Sequence, residues 1–226
     1  LVEEKNELGG STVYENNEFN KINNKTPSEW LKKEIEELKN IKNLEIKTRT
    51  SVAAYHQYNY LLARENLTDH LEAKDKTNKI RQRLLKIRAK KVILATGALE
   101  RPLIFNNNDR PGIMLSSAVK KYSEFYGVAC GSKNVFFTNN DSAYESAISL
   151  YNKGINVEAI IDIREQSESK IVKKVKEAGI KIYWSHSIVD TTGYKRLNSI
   201  SIMKLSNDGT SVTGNKISIS CDCLGV

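Results

Sequence analysis

The chain has 226 residues and carries 35 Lys and Arg against 27 Asp and Glu, a formal net charge of +8. At about 150 residues per domain this allows one large domain or two small ones. With 39% hydrophobic residues and only 3 Pro, it can build an ordinary core and is neither wholly disordered nor collagen-like. No apolar run approaches the ~20 residues needed to cross a bilayer, and the mean hydropathy is −0.48, so the expectation is a soluble protein outside the membrane.

Leu1-Val2-Glu3-Glu4 reads as the end of a strand, without the basic and apolar regions of a signal peptide. A helix is predicted to open at Thr26-Pro27-Ser28-Glu29, where Thr26 caps, Pro27 fits the first helical position and Glu29 reaches back to the cap amide. Trp30, Leu31, Ile35 and Leu38 recur at helical spacing, and the helix should end near Asn40. Strands are expected at 44–47 and 50–55, and 58–62 continues into a β-meander that returns over 82–87 after a polar loop at 74–79. Residues 91–97 form a continuous apolar run ending in Ala95-Thr96-Gly97, the pattern of a parallel strand buried on both faces.

Downstream the chain repeats a βαβ rhythm. Strand 134–138 precedes helix 142–152, which has a Ser142-x-x-Glu145 capping box and Gly154 at its end. Strand 157–161, helix 169–178 stopped by Gly179, and strand 180–184 follow. Such alternation predicts a doubly wound α/β domain. Asn207-Asp208-Gly209 turns a hairpin between 197–205 and 212–220. The last residues, 217–226, read as an alternating strand cut off before its turn. Together with the strand end at the start, this gives the expectation of a fragment. The inter-domain boundary is placed between Arg101-Pro102 and Pro111-Gly112.

Glu3 and Glu4, at a strand end before Gly9-Gly10, suit an acid that accepts hydrogen bonds from a dinucleotide's ribose. Taken alone they read rather as two surface acids; the combination with Ala95-Thr96-Gly97 shifts the balance. These three segments resemble the two-dinucleotide-domain flavoprotein superfamily. Three longer stretches, 95–103, 108–114 and 137–144, resemble the alpha subunit family of heterotetrameric sarcosine oxidases. The resemblance implies a Rossmann-like FAD/NAD(P)-binding α/β fold with a β-meander and a second doubly wound parallel-sheet domain. Its parts would be a partial first dinucleotide-binding domain at 1–103, a second nucleotide-binding-like domain with a degenerate site at 104–215, and a truncated strand at 216–226 returning to the first. It implies NAD bound by this chain, with FAD and FMN held mainly by the beta subunit and at the interface. The implied partners are beta, gamma and delta subunits. The whole complex would demethylate sarcosine to glycine, make hydrogen peroxide and pass the one-carbon unit to tetrahydrofolate.

Carried over by position, Glu3, Glu4 and Lys5 would line the adenosine ribose, Ser11 would follow the Gly-Gly turn, and Val52 would offer backbone groups to adenine. Ala95, Thr96 and Gly97 would close the site, Gly97 by close backbone approach. No residue is assigned a bond-making or metal-binding role. In the second domain, Thr138-Asn139-Asn140-Asp141-Ser142 stands where a nicotinamide site shows G-x-G-x-x-G. Without glycines, and with Asp141 at the helix N-terminus complementing the dipole, this site is expected to be vacated. Asp162 at the next strand end reads as a relic or a surface acid, with Arg164 as its ion-pair partner.

Other chemistries fare less well. Gly9-Gly10-Ser11-Thr12-Val13 holds no thiol, and Cys130 stands apart, against a disulfide reductase. Cys221 and Cys223 read as core residues on one strand face rather than metal ligands with His186. His56 and His70 read as structural, and Tyr55, Tyr58 and Tyr60 as packing of the meander. Three Cys in a chain this long suit a reducing cytoplasm. Two alternatives stand beside the first reading. One is a subunit of a related opine, proline or amine dehydrogenase. The other is a basic binding module, weakened because the lysines alternate with Glu on helices such as 32–34 and 173–177; no nucleic-acid partner is expected.

Overall fold

The Thr26 signal forms as read. In the computed structural model, which describes residues 1–15 and 21–226, helix α1 (Pro27–Lys39) opens with a complete capping box. The Glu29 amide donates to Thr26 Oγ1 and the Thr26 amide to Glu29 Oε2. We expect Thr26→Ala to cost about 1 kcal/mol, read as a lower urea midpoint at unchanged slope. The chain divides into two units, Leu1–Ala98 and Leu99–Val226.

In the first unit, β1 (Thr50–His56), β2 (Tyr60–Asn66) and β3 (Gln82–Arg88) form the expected antiparallel meander in that order. Its loop carries one helical turn, α2 (Ala73–Lys76). The strand expected at 44–47 is reduced to a single parallel bridge between Val2 and Lys47. Tyr58 does not start a strand. It sits at φ 59° in a tight turn and is 83% exposed, so the idea that it packs the meander is corrected. Tyr60 does pack, against the His56 ring.

The strand expected at 91–97 is absent. A parallel strand holds its shape by bonding neighbours on both edges, and among the described residues no backbone–backbone hydrogen bond involves 91 to 99. Ile93 and Leu94 are consequently 91% and 69% exposed.

The second unit is a parallel sheet covered on both faces. It holds β4 (Ile113–Met114), α3 (Ser116–Tyr126), β5 (Asn134–Thr138), α4 (Ser142–Asn152), β6 (Val157–Asp162), α5 (Lys170–Glu177) and β7 (Lys181–Trp184). Three antiparallel strands follow, β8 (His186–Thr192), β9 (Ser199–Leu205) and β10 (Val212–Ser220), then β11 (Cys223–Gly225). The sheet order is β4-β11-β5-β6-β7, all parallel, and β10-β9-β8 form a separate sheet. Phe136 joins Val119, Tyr144 and Val172 on the helical face, while Val135 and Phe137 join Ile188, Ile200 and Ile202 on the other. Coverage on both faces is why the three central residues of β5, Val135-Phe136-Phe137, are all apolar.

Four readings change here. Residues 223–225 do not return to the first unit; β11 inserts between β4 and β5. Cys221 and Cys223 do not share a face. The strand breaks at Asp222, whose carboxylate accepts the Ser132 and Lys133 amides, so Cys221 joins one core and Cys223 the other. Helix α3 was not legible, because the residues it buries, Ser116, Val119, Lys120 and Ser123, are mostly polar. Helix α4 has Asp141 as its cap residue, so the Ser142 capping box does not form. Among the described residues no helix is long and apolar enough to cross a membrane.

Candidate functional site

The site expected from the sequence lies wholly within the first unit. Residues 1–5 run alongside 45–50. The Glu3 amide donates to the Lys47 carbonyl, the Thr50 amide to the Glu3 carbonyl, and the Arg49 amide to the Lys5 carbonyl. Glu3, Lys5 and the start of β1 are thereby fixed side by side, with Val52 two residues along β1 from Thr50. The Lys5 amide also donates to Glu3 Oε1 at 2.8 Å, which orients that carboxylate; its second oxygen has no hydrogen-bond partner among the described residues. Glu4, next along, is exposed and has no such partner among the described residues.

β1 is an edge strand, so backbone groups on its outer side, Val52's among them, are not consumed by β2. Gly9 adopts φ 120° and lies so close to Leu31 of α1 that an added Cβ would clash. The turn that follows, Gly10–Val13, presents Ser11 to solvent. Ala95, Thr96 and Gly97 are exposed, and no hydrogen bond joins them to Glu3–Lys5 or to β1. Gly97 sits at φ 71° with nothing within 4 Å of where a Cβ would be, a left-handed conformation that favours glycine.

In the second unit, the carboxyl ends of β5 and β11 face a crevice. The chain runs from β5 through α4 toward β6 on one side, and β11 and β4 lie on the other, which is the switch point where open α/β sheets bind ligands. A cavity of about 300 Å³ there is lined by Glu100, Arg101, Ser116, Thr138, Asn139 and Asn140, among others. Sequence reasoning found the 138–142 loop but not the contribution of α3, whose N-terminal Ser117 amide donates to the Glu100 carboxylate at 2.8 Å.

No family model matches this chain. It is 36% identical over 210 residues to a sarcosine oxidase subunit alpha of Corynebacterium sp. (strain P-1), covering 92% of this chain and 21% of that one. A second such subunit, from Rhizobium meliloti (strain 1021), is 31% identical over 92% of this chain and 21% of its own length. The chain is homologous to sarcosine oxidase alpha subunits. It spans about a fifth of the length of these relatives.

Among solved structures, T. acidophilum thioredoxin reductase matches with TM-score 0.68 at 17% identity, over 99% of this chain and 66% of that one. L-proline dehydrogenase from P. horikoshii matches at 0.59 and 18%, over 99% and 35%. At such identity these likenesses establish the fold, that of the FAD/NAD(P)-binding oxidoreductases.

The cysteines are placed for packing. Burial pushes the Cys221 and Cys223 thiols up to about 12, and burial also raises that of Cys130. Since the thiolate is the reactive species, a disulfide dye at about pH 8 should label the folded protein only slowly and all 3 Cys once it is denatured. Rapid labelling of Cys221 or Cys223 in the folded chain would contradict this.

Proposed function

We propose that this chain is the NAD-carrying portion of an oxidoreductase alpha subunit of the sarcosine oxidase type. The observation that carries the reading is the 36% identity to such a subunit over 92% of the chain. The geometry of the first unit supports it. Glu3, oriented by the Lys5 amide, keeps one carboxylate oxygen for a ribose hydroxyl. Val52 on the free edge of β1 offers main-chain groups to adenine, and Ser11 follows a turn drawn tight against α1. Glu4 and Lys5 flank the ribose. Ala95, Thr96 and Gly97 bring an exposed backbone, unbonded among the described residues, to close the site.

NAD, when bound, supplies either a hydride acceptor or a structural nucleotide. The residues here bind and orient it and make no bond to substrate. In the full assembly, beta, gamma and delta subunits with FAD and FMN would oxidise sarcosine to glycine, with tetrahydrofolate as one-carbon acceptor, in a reducing cytoplasm.

Between the two acids, the pre-oriented Glu3 is the ribose ligand. A hydrogen bond to a charged group contributes about 1.5–3 kcal/mol, so Glu3→Gln should weaken NAD binding by about tenfold or more. Glu4→Gln should leave it nearly unchanged. Calorimetric titration of the chain and both variants checks this, and equal affinity in all three would defeat the assignment of Glu3.

A further inference from the structure

The fold class of the second unit implies a pyridine nucleotide at the switch-point crevice, and the residues there do not fit one. A Rossmann βαβ unit holds a dinucleotide with three features: a glycine turn after its first strand, bare amides at the helix N-terminus for the pyrophosphate, and an acid at the end of the second strand for the ribose. β5, α4 and β6 supply all three positions, and each is filled from within.

Asp162, the last residue of β6, is fully buried. Tyr144 Oη donates to its Oδ2 at 2.7 Å, and Arg164 donates from its amide to Oδ1, from Nε to both oxygens and from Nη2 to Oδ2. Four donors making five hydrogen bonds leave no room on this carboxylate for a ribose hydroxyl. The same Nη2 lies 2.8 Å from Asp141 Oδ1 at the start of α4. A guanidinium and a carboxylate thus occupy the helix terminus where a pyrophosphate would need amides and positive potential. The first free amide of α4, on Ser142, is already bonded to Asn140 Oδ1. Across the crevice, the Ser117 amide of α3 is bonded to Glu100.

We propose that Arg164, bridging Asp141 and Asp162 beneath the Tyr144 hydroxyl, is an internal stand-in for the nucleotide that excludes NAD(H) and NADP(H) from the second unit. This unit then accepts no hydride from a pyridine nucleotide. The inference is independent of whether the first unit binds NAD.

The test is a ¹H–¹⁵N spectrum of the whole chain titrated with NADH and with NADPH. The Arg164 Nε–H, held between the two Asp162 oxygens, should give a resolved, slowly exchanging signal. That signal and the amides of 138–144 and 162–164 should stay in place through millimolar nucleotide. Saturable movement of these signals, or loss of the Arg164 Nε–H on addition of nucleotide, would overturn the proposal. Movement confined to residues 1–15 and 47–52 belongs to the first unit's site and leaves the exclusion standing. Repeating the titration with Glu3→Gln separates the two. A shift of the binding curve to about tenfold higher nucleotide in that variant places the nucleotide in the first unit, and movement at 138–144 with an unchanged midpoint places it in the second.

Discussion

Replacing Arg164 by Ala should destabilise the second unit by about 3 kcal/mol. Removing one partner of a buried ion pair typically costs ~3–5 kcal/mol because the other charge is left uncompensated. The Asp162 carboxylate has no exposure, while the Arg164 side chain retains 29%. Water can therefore enter part of the vacated space, which places the cost at the lower end. What remains to Asp162 is the Tyr144 hydroxyl and the backbone amide of residue 164, two neutral donors with no cation for a carboxylate in the interior. Arg164→Ala combined with Asp162→Asn should recover most of the loss, since a neutral amide still accepts from Tyr144 and needs no cation. Trp184 stacks on Tyr144 with ring centroids 6.1 Å apart, so its fluorescence in a Trp30→Phe background reports unfolding of this unit alone. A single variant as stable as the parent would show that Asp162 does not depend on Arg164, and the bridge would lose its structural role.

How far the sequence could be read depended on whether a segment carries its own bonding information. The cap at Thr26 and the Asn207-Asp208-Gly209 hairpin rest on local chemistry and formed as read. The repeating βαβ pattern over 134–184 held because each strand there is covered on both faces and each helix has a clear apolar stripe. Residues 91–97 have equally strong strand composition, yet a parallel strand depends on distant neighbours that composition cannot supply. Helix α3 failed in the opposite sense: its periodicity is present but carried by Ser and Lys. The placement of 216–226 failed because alternation shows a strand without naming its sheet. At the candidate site, the acids and the Gly-Gly turn were legible by motif. The orientation of Glu3 by the Lys5 amide is a three-dimensional fact, as is the meeting of Asp141 with Arg164 across two loops.

Phe136→Ala should be the most damaging single truncation in the second unit, at about 3–5 kcal/mol. Phe136 lies at the centre of β5 with no exposure, enclosed by residues of α3, α4 and α5. Its ring is also the reason that the neighbouring strand carries Gly225, where an added Cβ would lie 2.6 Å from the ring. Gly225→Ala in the parent should thus cost about 1–3 kcal/mol by overpacking. In a Phe136→Ala background the same methyl enters vacated space, and its cost should vanish or reverse. The cycle of the two substitutions should therefore show a coupling of at least ~1 kcal/mol, well beyond the ~0.3–0.5 kcal/mol scatter of independent sites. Against a typical domain stability of 5–15 kcal/mol, the Phe136 truncation alone brings the unit near its unfolding threshold. Denaturant titration of the four proteins decides the matter: additive costs would mean that β5 and β11 do not meet face to face at this pair, and the strand order β4-β11-β5 would have to be redrawn.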